Sequence, residues 1–140
     1  MDQVLVRFAK MDQVLVRSCR RALGQYGLSE GEVVCLMFLS HNAPLDCARD
    51  IVRYRRLSKA MVSLSVEGLI QKGYLTPLRD SRDARVVHLK LAPQSAPLIE
   101  TLRQTRADFE ARLMRGVSAQ QRALFEQIGL KMAENLEEMQ

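Results

Sequence analysis

Between Leu57 and Ala92 the spacing of the apolar residues switches from a helical period to a strand period. In LSKAMVSLSVEGLIQKGYL, Val62, Val66, Leu69 and Ile70 recur at steps of three and four or sit side by side. That places them on one face of a 3.6-residue helix. Ser58 stands where an N-cap belongs, Leu57 and Val62 can staple across it, and Gly73 occupies the C′ position. In RVVHLKL, by contrast, Val87, Leu89 and Leu91 alternate with Val86, His88 and Lys90. Pro77 marks the run before it as an edge strand. The charged stretch Asp80-Ser81-Arg82-Asp83-Ala84-Arg85 then forms the tip of a β-hairpin. A capped helix that runs straight into a two-stranded hairpin restricts the chain to a mainly α fold with a small β wing.

The flanks are helical. Val4, Phe8, Met11, Leu15, Cys19 and Ala22 fall within an arc of roughly 60–80° at ~100° per residue, predicting an amphipathic helix over residues 3–24. LSEGEVV starts the next helix, with Ser29 and Glu32 as a capping box and Leu28 and Val33 as its staple. This helix is apolar nearly all round and stops near Pro44, so it belongs at the centre of the core. A brief helix follows between Leu45 and Arg53. Beyond Pro93, Leu98, Leu102, Phe109 and Leu113 mark one face of a helix over residues 96–115. Ser118-Ala119-Gln120-Gln121 caps a last helix carrying Leu124, Ile128, Met132, Leu136 and Met139.

Charge locates the business end. The chain of 140 residues carries a formal +5, and residues 45–92 hold ten Lys/Arg against five Asp/Glu while both flanks are near neutral. A basic centre of this kind suits a polyanion. The short helix, the capped helix and the hairpin together form a helix-turn-helix followed by a wing. The first residues of the capped helix, Ser58, Lys59, Ala60, Met61 and Ser63, would face base edges in a major groove. Arg82 and Arg85 at the wing tip could enter a minor groove, with Asp80 and Asp83 holding them by charge-assisted bonds. Arg53, Arg55, Arg56 and Arg79 are candidate phosphate contacts.

At these residues the chain resembles the MarR family of winged-helix transcriptional regulators. LSKAMVSLSVEGLIQKGYL supplies the recognition helix, and DSRDARVVHLKLA is similar to the family's wing signature. The resemblance implies a winged helix-turn-helix with N- and C-terminal dimerisation helices. It divides a single domain of residues 1–140 into a DNA-binding lobe at 28–92 and a dimerisation region at 1–27 and 93–140. It implies a homodimer on double-stranded DNA, acting as a repressor that a small phenolic or aromatic effector releases. A protein-binding winged-helix dimer is the alternative, because Leu64 and Pro77 stand where the family often has positive residues. A redox-sensing repressor is another, with Cys19 in the first helix as its thiol, flanked by Arg17, Arg20 and Arg21.

Other chemistries find no pattern. Cys35 reads as core and Cys47 as exposed, and the spacing of Cys35, His41 and Cys47 matches no compact zinc motif. His88 points outward with no Ser/His/Asp arrangement in the sequence around it, and no glycine-rich phosphate loop is present. No catalytic residue, no metal site and no cofactor is therefore expected. With no apolar run of membrane-spanning length and no signal-peptide layout, the expected location is the cytoplasm.

One feature is unusual. Residues 1–7, MDQVLVR, recur as residues 11–17. Ten helical residues turn the chain ~80° short of three turns, so the two copies present different faces. The duplication lengthens the first helix by ~15 Å and predicts an extended dimerisation element.

Overall fold

A computed structural model describes residues 1–139. The order is α1 (Asp2–Ala22), a 3-10 turn (Gly24–Tyr26), α2 (Glu30–His41), α3 (Ala48–Arg55), α4 (Lys59–Gln71), β1 (Leu75–Arg79), β2 (Val87–Leu91), a second 3-10 turn (Pro93–Ser95), α5 (Ala96–Leu113) and α6 (Ala119–Glu138). Every element expected from the sequence is present. The chain gathers into two compact units, residues 1–106 and 107–140, so the division falls inside α5. Gln140, the last residue of the expected domain, lies outside the described residues.

In the first unit, α2 is the hub. Gly31 through Leu39 are buried without interruption. Leu36, Val33 and Cys35 are closed off completely, together with Leu23 of the α1 exit, Ile51 of α3, Val62 and Leu69 of α4, and Leu98 of α5. Burying a Leu or Ile side chain stabilises by ~1.5–3 kcal/mol, so these residues carry the unit. On α1 the buried positions are Val16 and Cys19, with Met11, Leu15 and Ala22 partly covered. Val4 and Phe8, expected on the same stripe, are exposed. The physical reason is reach: the buried residues of α1 lie in its second half, and residues 1–10 are exposed throughout.

Local signals set the helix ends. The Ser29 hydroxyl accepts from Glu32 N at 3.2 Å, and Glu32 Oε2 accepts from Ser29 N, closing the expected capping box. Ser58 caps α4 by accepting from Met61 N at 3.0 Å. Gly73 has φ +80°, the left-handed turn that ends α4 and releases the chain into β1. Between α2 and α4 the approach is close. A Cβ added at Gly68 would lie 2.4 Å from Glu32 Oε1, and one at Gly31 would lie 2.2 Å from Ser65 Oγ. The space left by Gly68 lets buried Glu32 lean against α4 and accept from Lys72 Nζ at 2.6 Å. Glu32 is buried while Lys72 reaches solvent, so removing Lys72 would strand a buried carboxylate.

The hairpin is antiparallel, in register from Leu75↔Leu91 to Arg79↔Val87. Pro77 pairs with Leu89, whose own N–H donates to Asp46 O at 2.8 Å on the far side. Pro77 therefore sits at a position facing the free edge, and its missing N–H costs no ladder bond. The same bond ties β2 to the chain entering α3.

The second unit comprises the end of α5, a turn at Gly116 and α6. Ser118 and Gln121 close the expected capping box, and Arg122 pairs with Glu110. No α6 residue is buried. Leu124, Phe125, Ile128, Leu130, Met132 and Leu136 all stand exposed.

Candidate nucleic-acid interface

The candidate interface is built from α4 and the wing. Val62, Ser65, Val66 and Leu69 face the core, which turns the other side of α4 outward. Lys59, Ala60, Met61 and Ser63 are all exposed at its first two turns, as is Leu64 at 68%. Ser58 spends its acceptor on the cap, and its O–H remains a donor. Four of the five expected recognition residues thus expose their side chains, and the fifth holds the helix start in place.

The wing tip is a set of carboxylate-organised turns. Asp80 Oδ2 accepts from the backbone N–H of Arg82 and of Asp83, both at 2.9 Å. Its other oxygen meets His88 Nε2 at 2.8 Å. These bonds, that from His88 first, hold the Asp80 carboxyl down at about 2. Asp83 accepts a two-point bond from Arg85 Nε and Nη2, at 3.0 and 3.1 Å, and the arginine pulls its pKa below the usual carboxylate range. Asp83 therefore orients Arg85 as expected, leaving its side chain 90% exposed. Asp80 differs from expectation: it shapes the loop through backbone N–H groups rather than gripping the Arg82 guanidinium, because the tight turn brings those amides closer than the side chain.

The four candidate phosphate arginines separate. Arg55 does not face outward for a phosphate: its Nη1 and Nη2 donate to both Asp12 oxygens at 2.9 and 3.2 Å, pinning α3 to α1, and its Nε is buried without a partner. Arg53 lies over the Tyr54 ring, 5.3 Å from the centroid. Arg56 is exposed with φ +54°, forming the left-handed turn between α3 and α4. Arg79 donates to Ala84 O at 3.2 Å across the hairpin tip, and its residue is exposed.

The cysteines are buried. Cys19 is 1% exposed, and burial raises its thiol pKa, with only Arg106 acting to lower it. Of the three arginines that flank it in sequence, Arg20 pairs with Glu30 instead. The geometry thus favours an inert Cys19 thiol over a sensor. Cys35 is pushed up to about 12 by burial and by Glu32. Cys47, expected outside, is 8% exposed because β2 closes over the start of α3.

Nor does His88 stand alone. Its Nδ1 meets Asp46 Oδ1 at 2.6 Å and its Nε2 meets Asp80, so it links the entry of α3 to the wing tip. Both carboxylates raise its pKa. Asp46 Oδ2 also accepts from Lys90 Nζ at 2.7 Å. Asp46, Cys47 and His88 form the one group of three potential metal donors among the described residues. The sequence carries no hint of it, because the histidine lies 41 residues beyond the cysteine. Alternation alone placed His88 outward, and nothing local showed what it meets there.

Between α3 and α4 lies a groove of about 780 Å³. Val52, Val62, Val66 and Ile70 line its floor, and Arg49, Lys59, Ser63 and Glu67 are among its polar residues. It sits directly beside the exposed start of α4.

No family model matches the chain. It is 24% identical over 100 residues to the transcriptional regulator AdcR of Streptococcus pneumoniae, a match that spans 71% of this chain and 65% of that relative's length. A MarR transcriptional regulator from Methanosarcina mazei superposes with a TM-score of 0.76 at 15% identity, covering 98% of this chain and 99% of that one. A MarR-family regulator from Listeria monocytogenes, solved in complex with a 26mer DNA, gives 0.76 at 13% identity, covering 94% and 87%. A MarR-family regulator from Silicibacter pomeroyi gives 0.73 at 19% identity, covering 91% and 86%. These likenesses show the fold: the chain has the winged helix-turn-helix architecture of the MarR-family structures.

Proposed function

We propose that this chain is a MarR-type, DNA-binding transcriptional regulator that acts as a homodimer. One observation carries this reading. The basic middle third of the sequence folds into a single winged lobe whose exposed parts are the start of α4 and an arginine-bearing wing tip. Lys59, Ala60, Met61 and Ser63 would meet base edges in the major groove, and Arg82 and Arg85 would reach the minor groove. Arg56 and Arg79 would contact phosphates.

Dimerisation is supported by the uncovered apolar residues of α6 and of the first turns of α1. Two-fold symmetry then calls for paired half-sites about one helical turn apart. Repression with release by a small aromatic ligand is the regulatory mode we favour. The α3–α4 groove supports it, since a ligand on Val62 and Val66 would press on the helix that reads DNA. No described helix is long and apolar enough to cross a membrane, and a regulator of this kind works in the cytoplasm.

Selection of binding sites from random duplexes tests the reading. A palindromic consensus is expected. The double variant Arg82→Ala, Arg85→Ala should lose affinity at every salt concentration and flatten the salt slope by up to ~2 units. Unchanged affinity in that variant would remove the wing from the mechanism. A protein partner is the second reading, and the outward exposure of Leu64 on α4 is what favours it. Failure to enrich any sequence at moderate salt would select it. Peroxide treatment tests the redox alternative at Cys19, where no change in DNA affinity is expected.

A further inference from the structure

Three donors of different chemistry converge where α3 begins. Asp46 Oδ1 lies 2.6 Å from His88 Nδ1 and 3.6 Å from Cys47 Sγ, and the sulfur lies 4.0 Å from the same nitrogen. A triangle with these sides has a point about 2 Å from every corner. That is a zinc–nitrogen or zinc–oxygen bond length, but the point lies in the plane of the three atoms; a tetrahedral ion stands off that plane, with Asp46 Oδ1 and His88 Nδ1 parting to ~3.3 Å and the sulfur at the ~2.3 Å of a zinc–thiolate bond. We infer that Asp46, Cys47 and His88 form a binding site for a divalent cation of the zinc class, clamping the wing strand to the helix-turn-helix.

The surroundings orient each donor. His88 Nε2 meets Asp80 Oδ1 at 2.8 Å, so Asp80 would hold the Nε2 proton and leave Nδ1 to the ion once its own proton is lost; a carboxylate behind a ligating histidine is the usual outer support of such sites. Lys90 holds Asp46 Oδ2 at 2.7 Å and leaves Oδ1 for the ion. Cys47 N donates to Asp50 Oδ2 at 3.1 Å, and Leu89 N donates to Asp46 O at 2.8 Å, so the backbone under both ligands is pinned. Thiolate, imidazole and one carboxylate select zinc or cobalt over magnesium and calcium, which take all-oxygen sets.

Access and charge are also provided for. A hollow of about 270 Å³ opens beside Cys47, bordered by Arg49, Arg85 and Val87. Binding replaces the thiol proton of Cys47 and the proton shared by Asp46 and His88, so ligation releases protons as the metal–sulfur and metal–nitrogen bonds form. Two anionic ligands then face the cation, with Asp80 behind the imidazole and Lys90, Arg49 and Arg85 offsetting the charge. The fourth position is left to water. Cys47 directly precedes α3 and His88 lies on β2, so the ion would join the two parts of the lobe. If the DNA-binding reading above holds, loading should tighten DNA binding by ordering the wing.

The test is cobalt titration of the full chain after chelator treatment, read by the thiolate-to-cobalt charge-transfer band. One equivalent per chain is expected, displaced by zinc. Cys47→Ser should abolish the band and Cys19→Ala should retain it. Asp80→Asn should weaken binding about ten-fold. Absence of the band in the unmodified protein, or its survival in Cys47→Ser, would overturn the site. His88→Gln, checked for folding by circular dichroism, should also lose tight binding, and full retention would exclude the histidine. No DNA enters this measurement, so its outcome stands apart from that of the site-selection experiment.

Discussion

Helices α2 and α6 are both rich in apolar residues, and the chain treats them oppositely. Nine consecutive residues of α2 are buried by α1, α3, α4 and the wing, whereas no residue of α6 is buried. Apolar spacing alone does not separate the two. The difference is supply: the first unit covers α2 with its own α1, α3, α4, α5 and wing, while the apolar side chains of α6 stand exposed. Stability of the first unit is therefore an internal property, while α6 leaves its apolar residues uncovered.

The largest expected effect tests the buried side of this contrast. Leu69→Ala, at a fully enclosed position, should cost ~2–5 kcal/mol in urea unfolding. Ile128→Ala in α6 should instead shift the sedimentation profile toward monomer. Equal losses from both variants, independent of protein concentration, would break the comparison.

Glycines inside the two regions sharpen it. Gly68→Ala gains ~1 kcal/mol of helix propensity but drives a methyl into Glu32 and off its Lys72 partner, for an expected net loss of ~1–2 kcal/mol. Gly129→Ala meets nothing within 4 Å in its own chain and should gain ~1 kcal/mol. A loss at Gly129 would show that a partner surface lies against it.

Cys35 offers a test by pH. Its thiol is held up to about 12 in the folded protein, against 9.0 as the ordinary value. The folded state then keeps a proton that the unfolded state has lost, so stability should be full below pH 9 and fall as pH rises toward 12. Cys35→Ala should flatten that fall, measured by thermal melts across the range. At pH 8 Cys35 should resist alkylation in the native protein and react once it is unfolded in urea. Rapid native alkylation would show that the lobe opens around α2.

The smallest effect is expected at the duplication. Residues 1–10 are exposed throughout, and Asp12, which anchors Arg55, lies beyond them. Their deletion should leave the lobe's melting midpoint unchanged and either weaken dimerisation or leave it intact. A drop in operator affinity without loss of dimer would contradict this.

Much of the lobe was legible without coordinates because its signals are local. Ser29, Ser58 and Ser118 act on amides three residues away, Gly73 on its own φ, and the wing on a two-residue alternation. Where the sequence misled, the deciding contact was distant. Arg55 is an arginine in a basic segment until Asp12 arrives from 43 residues away. Cys47 looks exposed until the hairpin folds over it.

By itself the sequence determined which segments are helix and strand, where they stop, and that a basic segment ending in an arginine-bearing wing would be presented to solvent. These follow from hydrogen bonds and apolar periods within a turn or two of chain. Tertiary structure alone decided which charges remain available, that Glu32 and Lys72 close the α2–α4 seam, and that Asp46, Cys47 and His88 share one small volume. Those outcomes depend on pairings some 40 residues apart, which only the packing of α2 against α3, α4 and the wing brings into contact.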